Sequence, residues 1–153
     1  MPVRVEVVTP ETIELGPSVT GYRVHFAAGP VRGQAWFASA AGEHPPPPGD
    51  YSVETGLQEV RGLRVVARSA GGERGITPLP TPGDYRVRGS VEVVLGEGNG
   101  GPATGAYVRA GDWSFMIDSG DCTAGDLNIL GELAEGDEVE FDAVGLSLWD
   151  ENL

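Results

Sequence analysis

The sequence Val-Glu-Val-Val stands at residues 5–8 and recurs 86 positions later, at residues 91–94. Three dipeptides recur in the same order at similar offsets: Thr-Gly at 20–21 and 104–105, Gly-Asp at 49–50 and 136–137, and Gly-Leu at 62–63 and 145–146. Matches that keep one order and one offset are typical of duplicated structural units. The pattern therefore predicts two similar small units in one chain.

Short strands are predicted in both units. Apolar and polar residues alternate, as they do in half-buried strands, at residues 3–7, 22–26, 31–37, 85–95, 107–109, 113–117 and 139–141. Further strands are predicted at residues 51–53, 63–66 and 146–148. The 24 glycines and 12 prolines among 153 residues favour turns over helices. The one helix candidate lies near residues 123–133, where Leu127, Leu130 and Leu133 recur at three-residue spacing.

Five strands with one short helix between the third and the fourth is the element order of an OB-like barrel. We therefore predict an all-β fold of two similar five-stranded OB-like small barrels packed together, with at most that one helix. An Ig-like β-sandwich is the alternative, because Gly-Asp-Tyr precedes strands at 49–51 and 83–85. Tyr51 and Tyr85 are interpreted as corner tyrosines whose hydroxyls bind backbone.

Composition along the chain suggests where the units meet. Residues 69–83 are rich in Gly and Pro and poor in apolar residues, as a linker would be. We predict a first β unit at 1–68, this linker, and an acidic second β unit at 84–153. Units of roughly 75 residues are marginal alone, so we expect them to share an interface.

Negative charge is concentrated in the second unit. The chain has 10 arginines, no lysine and 23 acidic residues, for a net charge of −13. Seven arginines and 8 acidic residues fall in residues 1–80, but 3 arginines and 15 acidic residues fall in residues 81–153. An asymmetric acidic surface of this kind suits a basic partner, although it also serves solubility.

The leading hypothesis is a small acidic binding protein, of an inhibitor, immunity or adaptor type, that docks a basic macromolecule through its C-terminal half. Alternation places Glu138, Glu140 and Asp142 on the outer face of one strand. Glu132 and Glu135 precede that strand and complete the predicted exposed patch.

Single-stranded nucleic acid is the alternative partner. If residues 22–28 and 31–37 form a hairpin, its outward face combines cations with an aromatic ring, which suits phosphate contact and base stacking. The residues on that face are Arg23, His25, Arg32, Gln34 and Trp36. The competing interpretation is that Trp36 is buried and the arginines pair with acids, which the overall negative charge favours.

Residues 115–120, Phe-Met-Ile-Asp-Ser-Gly, resemble the aspartic-protease signature, in which an apolar strand delivers Asp-Ser/Thr-Gly. Such enzymes need two aspartates that share a proton. Here Asp121 follows the glycine, and the chain has no second Asp-Ser/Thr-Gly. A hydrolase that uses Asp118 is therefore a third hypothesis, beside an Asx turn that ends a strand.

No cofactor motif is present, and we expect neither a cofactor nor a dedicated metal site. Asp118, Asp121 and Asp126 are the weak candidates for a hard cation, but their spacing is not that of an EF-hand. Cys122 lies among these carboxylates, which should raise its thiol pKa and make it a poor nucleophile. A cysteine-dependent enzyme is therefore not expected.

One cysteine excludes an intramolecular disulfide framework. The sequence shows no signal peptide and no apolar run long enough to span a membrane. We therefore expect a cytosolic protein. Its arginine, alanine, glycine and proline usage suggests a bacterial source.

Overall fold

The computed structural model describes residues 1–40, 44–67, 74–96 and 102–151. Part of the predicted linker, residues 69–73, therefore lies outside the described residues. Eleven strands and one helix are formed in these ranges. They are β1 (Pro2–Gly16), β2 (Val19–Ala28), β3 (Val31–Ala40), β4 (Gly49–Gly56), β5 (Glu59–Val65), β6 (Gly75–Pro78), β7 (Tyr85–Gly96), β8 (Ala103–Ala110), β9 (Trp113–Asp118), α1 (Ala124–Glu132), β10 (Glu138–Val144) and β11 (Ser147–Asp150).

The first sheet is a closed five-stranded barrel in the order β1-β2-β3-β11-β4. β1, β2 and β3 form an antiparallel meander, and β4 returns to pair with β1. β11 closes the barrel by pairing parallel to β3 and antiparallel to β4. This is a small Greek-key barrel of the OB-like type, so the predicted all-β fold with small barrel units is confirmed.

The second sheet runs β5-β10-β7-β8-β9, and β6 pairs with β7 on the edge opposite β10. β7, β8 and β9 again form a meander, and β10 pairs with β7. β5 approaches the chain just after β9 through an isolated parallel bridge between Val60 and Cys122. In that bridge the Val60 amide donates to the Asp121 carbonyl at 2.8 Å.

Both sheets combine strands from the two sides of the predicted linker. β5 precedes the linker but pairs with β10, whereas β11 ends the described chain but closes the barrel. β6 lies within the predicted linker itself. Sheet membership therefore does not follow the predicted boundaries at 68 and 84, because pairing between distant strands leaves no trace in local composition.

The two parallel contacts occupy matching positions along the chain. Trp36 pairs with Ser147, and Cys122 pairs with Val60. Residues 36 and 122 are 86 apart and residues 60 and 147 are 87 apart, close to the offset of the Val-Glu-Val-Val pair. A duplication with exchanged fifth strands would produce this arrangement, and the repeat itself stays a prediction that superposition of the two units would measure.

A continuous run of aromatic rings joins the two sheets. Phe26 of the barrel packs against Tyr85 and Trp113, with ring centroids 6.3 and 5.9 Å apart. Trp113 stacks on Phe115, which meets Phe141 edge-on at 6.3 Å. All five rings are buried, so the two sheets share one hydrophobic core.

Both predicted corner tyrosines bind backbone, as expected. The Tyr85 hydroxyl donates to the Gln34 carbonyl at 2.7 Å, and the Tyr51 hydroxyl donates to the Pro47 carbonyl. Gly33 leaves the space that the Tyr85 hydroxyl occupies, because a methyl group there would collide with it. Burial raises the pKa of Tyr85 to about 12, so the ring anchors β7 to the barrel in its neutral form.

The predicted helix near 123–133 is confirmed as α1, and Thr123 is its N-cap. Asp126 lies in the first turn of α1 and is buried. It accepts hydrogen bonds from the Leu63 amide, at 3.1 Å, and from the Thr123 hydroxyl, at 2.9 Å. Leu130 faces the core and Leu127 faces outward. The described residues contain no helix long and apolar enough to cross a membrane.

Replacing Leu148 with alanine should destabilise the barrel and the second sheet together, so that both unfold in one transition. Leu148 is buried on β11, which comes from the second half of the chain and pairs with β3 and β4 of the first half, so Leu148→Ala should lower the free energy of unfolding by about 3 kcal/mol. The matched control is Leu127→Ala, an exposed position on α1, which should change it by less than about 1 kcal/mol. Urea unfolding followed by tryptophan fluorescence and circular dichroism measures both. Two separate transitions would contradict a shared core.

Candidate functional site

The predicted acidic patch is divided by the structure. Glu138, Glu140 and Asp142 do alternate along β10 with buried Val139 and Phe141. However, β10 lies between β5 and β7, and both neighbours carry arginines on the same face. The acidic row therefore faces a set of cations on adjacent strands instead of solvent.

Each carboxylate of this row forms an ion pair. Glu140 lies in register with Arg64 on β5 and Arg88 on β7, and it contacts both guanidinium groups. Arg86 pairs with Asp142 and also approaches Glu140 at 3.5 Å. Glu138 pairs with Arg74, which precedes β6. The arginines that pair with the carboxylates of β10 are Arg64, Arg74, Arg86 and Arg88.

The expectation that Glu138 and Glu140 are exposed is wrong. Glu138 is 5% exposed, and the side chain of Glu140 is 19% exposed. The physical reason is that β10 is a central strand whose neighbours supply the complementary charge. Glu132 and Glu135, by contrast, are exposed and form no ion pair with the described residues.

Every arginine in the described residues is paired with a carboxylate. The nine are Arg4, Arg23, Arg32, Arg61, Arg64, Arg74, Arg86, Arg88 and Arg109. Residues 110–137, which follow the last arginine, contain seven acidic residues and no basic one. Among the described residues, acids without an ion pair therefore lie at α1 and the loops beside it, and also at Glu54, Asp112 and Glu151, which line one groove.

The proposed nucleic-acid face forms the predicted hairpin, but its aromatic ring is covered. Trp36 is 6% exposed and lies under the Arg23 guanidinium, 4.1 Å from the ring centroid. Arg23 pairs with Glu11, and Arg32 pairs with Glu6. His25 and Gln34 stand opposite each other on β2 and β3. The cations of this face are neutralised, and the ring offers no stacking surface.

The Asp118 loop is held by local hydrogen bonds. Asp118 Oδ1 accepts from the Gly120 amide at 2.8 Å, the Asx turn that was the structural interpretation of this motif. The Asp118 amide donates to Asp121 Oδ2. Burial raises the pKa of the Asp121 carboxyl. In the described part of the chain, no group of three or more His, Cys, Asp or Glu side chains is arranged to hold a metal ion.

Cys122 sits beside this loop as a weak nucleophile. Burial, followed by the nearby carboxylates of Asp126, Asp121 and Asp118, raises the pKa of its thiol to about 11. The direction agrees with the sequence prediction, although burial contributes more than charge. Few thiolates exist at neutral pH under these conditions.

Sequence reasoning missed an exposed apolar row on the second sheet. Val93, Tyr107 and Met116 stand side by side on β7, β8 and β9, and they are 41%, 40% and 44% exposed. Tyr107 and Met116 border a groove of ≈ 650 Å³ that runs between these strands and β4. The sequence did carry a signal for this row: Tyr107 and Met116 occupy outward positions of strands whose inward positions are already apolar.

No protein-family model, curated protein or solved structure matches this chain.

Reversing the charge of Glu140 should destabilise the fold. Glu140→Arg would place a fourth guanidinium among those of Arg64, Arg86 and Arg88 in a largely buried setting, at a cost of about 2 kcal/mol. The matched control is Glu135→Arg, which is exposed and should change stability by less than about 0.5 kcal/mol. Urea midpoints compare the two. Equal midpoints would mean that the ion pairs on β10 contribute nothing measurable.

Alkylation should show how little thiolate Cys122 forms. Raising a thiol pKa by two units lowers the thiolate fraction about 100-fold below pH 9. Iodoacetamide at pH 8 should therefore modify the folded protein about 100 times more slowly than the urea-unfolded protein. The rate should keep rising with pH up to about 11, where the thiol ionises. A rate that levels off near pH 9 would contradict the raised pKa.

Proposed function

We propose that the chain is a non-catalytic cytosolic binding protein, of an inhibitor, immunity or adaptor type, whose C-terminal half docks a basic macromolecular partner. The observation that carries the proposal is the complete pairing of the described arginines with carboxylates. Because that pairing occupies the described arginines, the seven acidic residues at 110–137, a stretch without a basic residue, carry much of the surplus negative charge.

Exposed acids in this region form no ion pair with any arginine that the structure describes. Glu132 ends α1 and Glu135 follows it, and both project into solvent. Other acids nearby serve the backbone: Asp137 accepts from the Ala134 amide at 2.9 Å, and Asp126 holds the Leu63 amide. The structural acids fix the shape of this end, and the free ones supply a field that attracts a basic surface.

Two competing functions find less support. A single-stranded nucleic acid needs free cations and an open ring, whereas Arg23 and Arg32 are paired and Trp36 is covered. A hydrolase that uses Asp118 needs a second carboxylate that shares its proton, whereas Asp118 is engaged with the Gly120 amide.

A defined polycation tests the proposal. A fluorescent arginine-rich peptide should bind the protein at 50 mM NaCl and lose most of its association rate at 300 mM, because exposed charges are screened within about 6 to 14 Å over that range. Its glutamate-substituted counterpart and an oligothymidine should not bind. Stopped-flow anisotropy measures the three probes.

The matched variants locate the site. Glu135→Gln should slow association about twofold at low salt, whereas Glu14→Gln, an exposed glutamate on β1, should leave it unchanged. Equal effects of the two variants on the association rate would mean that the acidic end is only a solvated surface. Binding of the oligothymidine in place of the peptide would support the nucleic-acid alternative.

A further inference from the structure

A groove separates the outer face of β8 and β9 from β4. Thr55 on β4 donates its hydroxyl to the Ser114 carbonyl on β9 and bridges the two strands at one point. The groove measures ≈ 650 Å³ and is partly open to solvent. A volume in this range accommodates a few side chains, and an open shape between strands suits an extended segment better than a globular surface.

The apolar side chains Tyr107 and Met116 line the groove, and Val93 extends their surface beyond it onto β7. Tyr107 pairs directly with Val93 on one side and Met116 on the other. Side chains directly opposite each other in antiparallel strands lie about 5 Å apart, so the three form one surface. Contiguous exposed apolar surface marks interaction sites in soluble proteins, and tyrosine and methionine are enriched there.

The charged part of the groove is acidic. Glu54, Asp112 and Glu151 line it. Arg109 also lines it, but its guanidinium is paired with Glu92 at 3.2 Å. The Met1 ammonium lies at one end and donates to the Val53 carbonyl at 3.0 Å. The carboxylates therefore outnumber the available positive charge.

We propose that this groove is the docking site for an extended basic segment of the partner, with an apolar side chain seated against Tyr107 and Met116. This inference rests on the proposed function, since it names the surface and the chemistry of the partner. Charge complementarity selects the occupant: arginine or lysine side chains meet Glu54, Asp112 and Glu151 at the rim. A second copy of this chain is a poor occupant, because it brings a net charge of −13 to an acidic groove.

Three synthetic peptides of equal length test the assignment: one alternating arginine with leucine, one with each leucine replaced by serine, and one with each arginine replaced by glutamine. The arginine–leucine peptide should bind most tightly, because it alone satisfies both the rim and the apolar row. The other two should each bind about tenfold more weakly. Titration calorimetry at 100 mM NaCl measures all three.

Paired variants test the location. Met116→Ala should weaken the arginine–leucine peptide about tenfold, whereas Leu127→Ala, an equally exposed apolar position on α1, should leave it unchanged. Glu54→Gln should weaken the same peptide more than Glu14→Gln does. Unchanged urea midpoints confirm that each variant is folded.

The outcomes separate the two proposals. If basic peptides bind and respond to Glu135→Gln but not to Met116→Ala, the acidic binding function stands and the groove assignment fails. If no basic peptide binds, both fail. If the arginine-free peptide binds as tightly as the arginine–leucine one, the occupant is not basic and the assignment is overturned. A concentration-dependent dimer that Met116→Ala abolishes in sedimentation would make the occupant a second copy and would also overturn it.

Discussion

The parallel pairing of β3 with β11 is the constraint on which the rest of the structure depends. The Trp36 amide donates to the Leu146 carbonyl at 2.9 Å, and Leu148 enters the core next to Phe37. This contact joins a strand near the start of the chain to one at its end. Because every strand of the second sheet lies between them in sequence, the barrel closes only when that intervening chain has folded compactly.

The pairing of β5 with β10, the counterpart of the β3–β11 pairing, decides the electrostatics of the second sheet. β5 leaves the first half of the chain and carries Arg61 and Arg64 to the edge of β10, while β7 brings Arg86 and Arg88 to its other edge. The strand with the densest acidic row therefore lies among the cations. What looks like an acidic patch in the sequence is a network of ion pairs on one face of the sheet, and the unpaired negative charge lies at α1, its flanking loops and the groove.

Features set by neighbours in sequence could be predicted, and features set by distant strands could not. Alternation was enough for the β2–β3 hairpin, and Gly-Asp-Tyr was enough for the backbone bonds of Tyr51 and Tyr85. The burial of Glu138 was not accessible, because Arg74 lies 64 residues away and no local pattern links them. The groove was missed for the same reason: Met116 is an ordinary outward residue until β4 is placed beside it.

The outer faces of the two meanders, β1–β3 and β7–β9, differ in whether their aromatic side chains are covered, and this difference bears on function. On β2 and β3 the Arg23 guanidinium covers Trp36, and Glu11 on β1 pairs with Arg23. The aromatic ring and the positive charge are therefore both engaged in contacts within the fold. On β8 and β9 no such cover is in place over Tyr107 and Met116 among the described residues, and the nearest cation is paired with Glu92. The outer face of the first unit is covered within the fold, whereas that of the second is apolar and bordered by acids, and this contrast supports the proposal that a basic partner docks on the second.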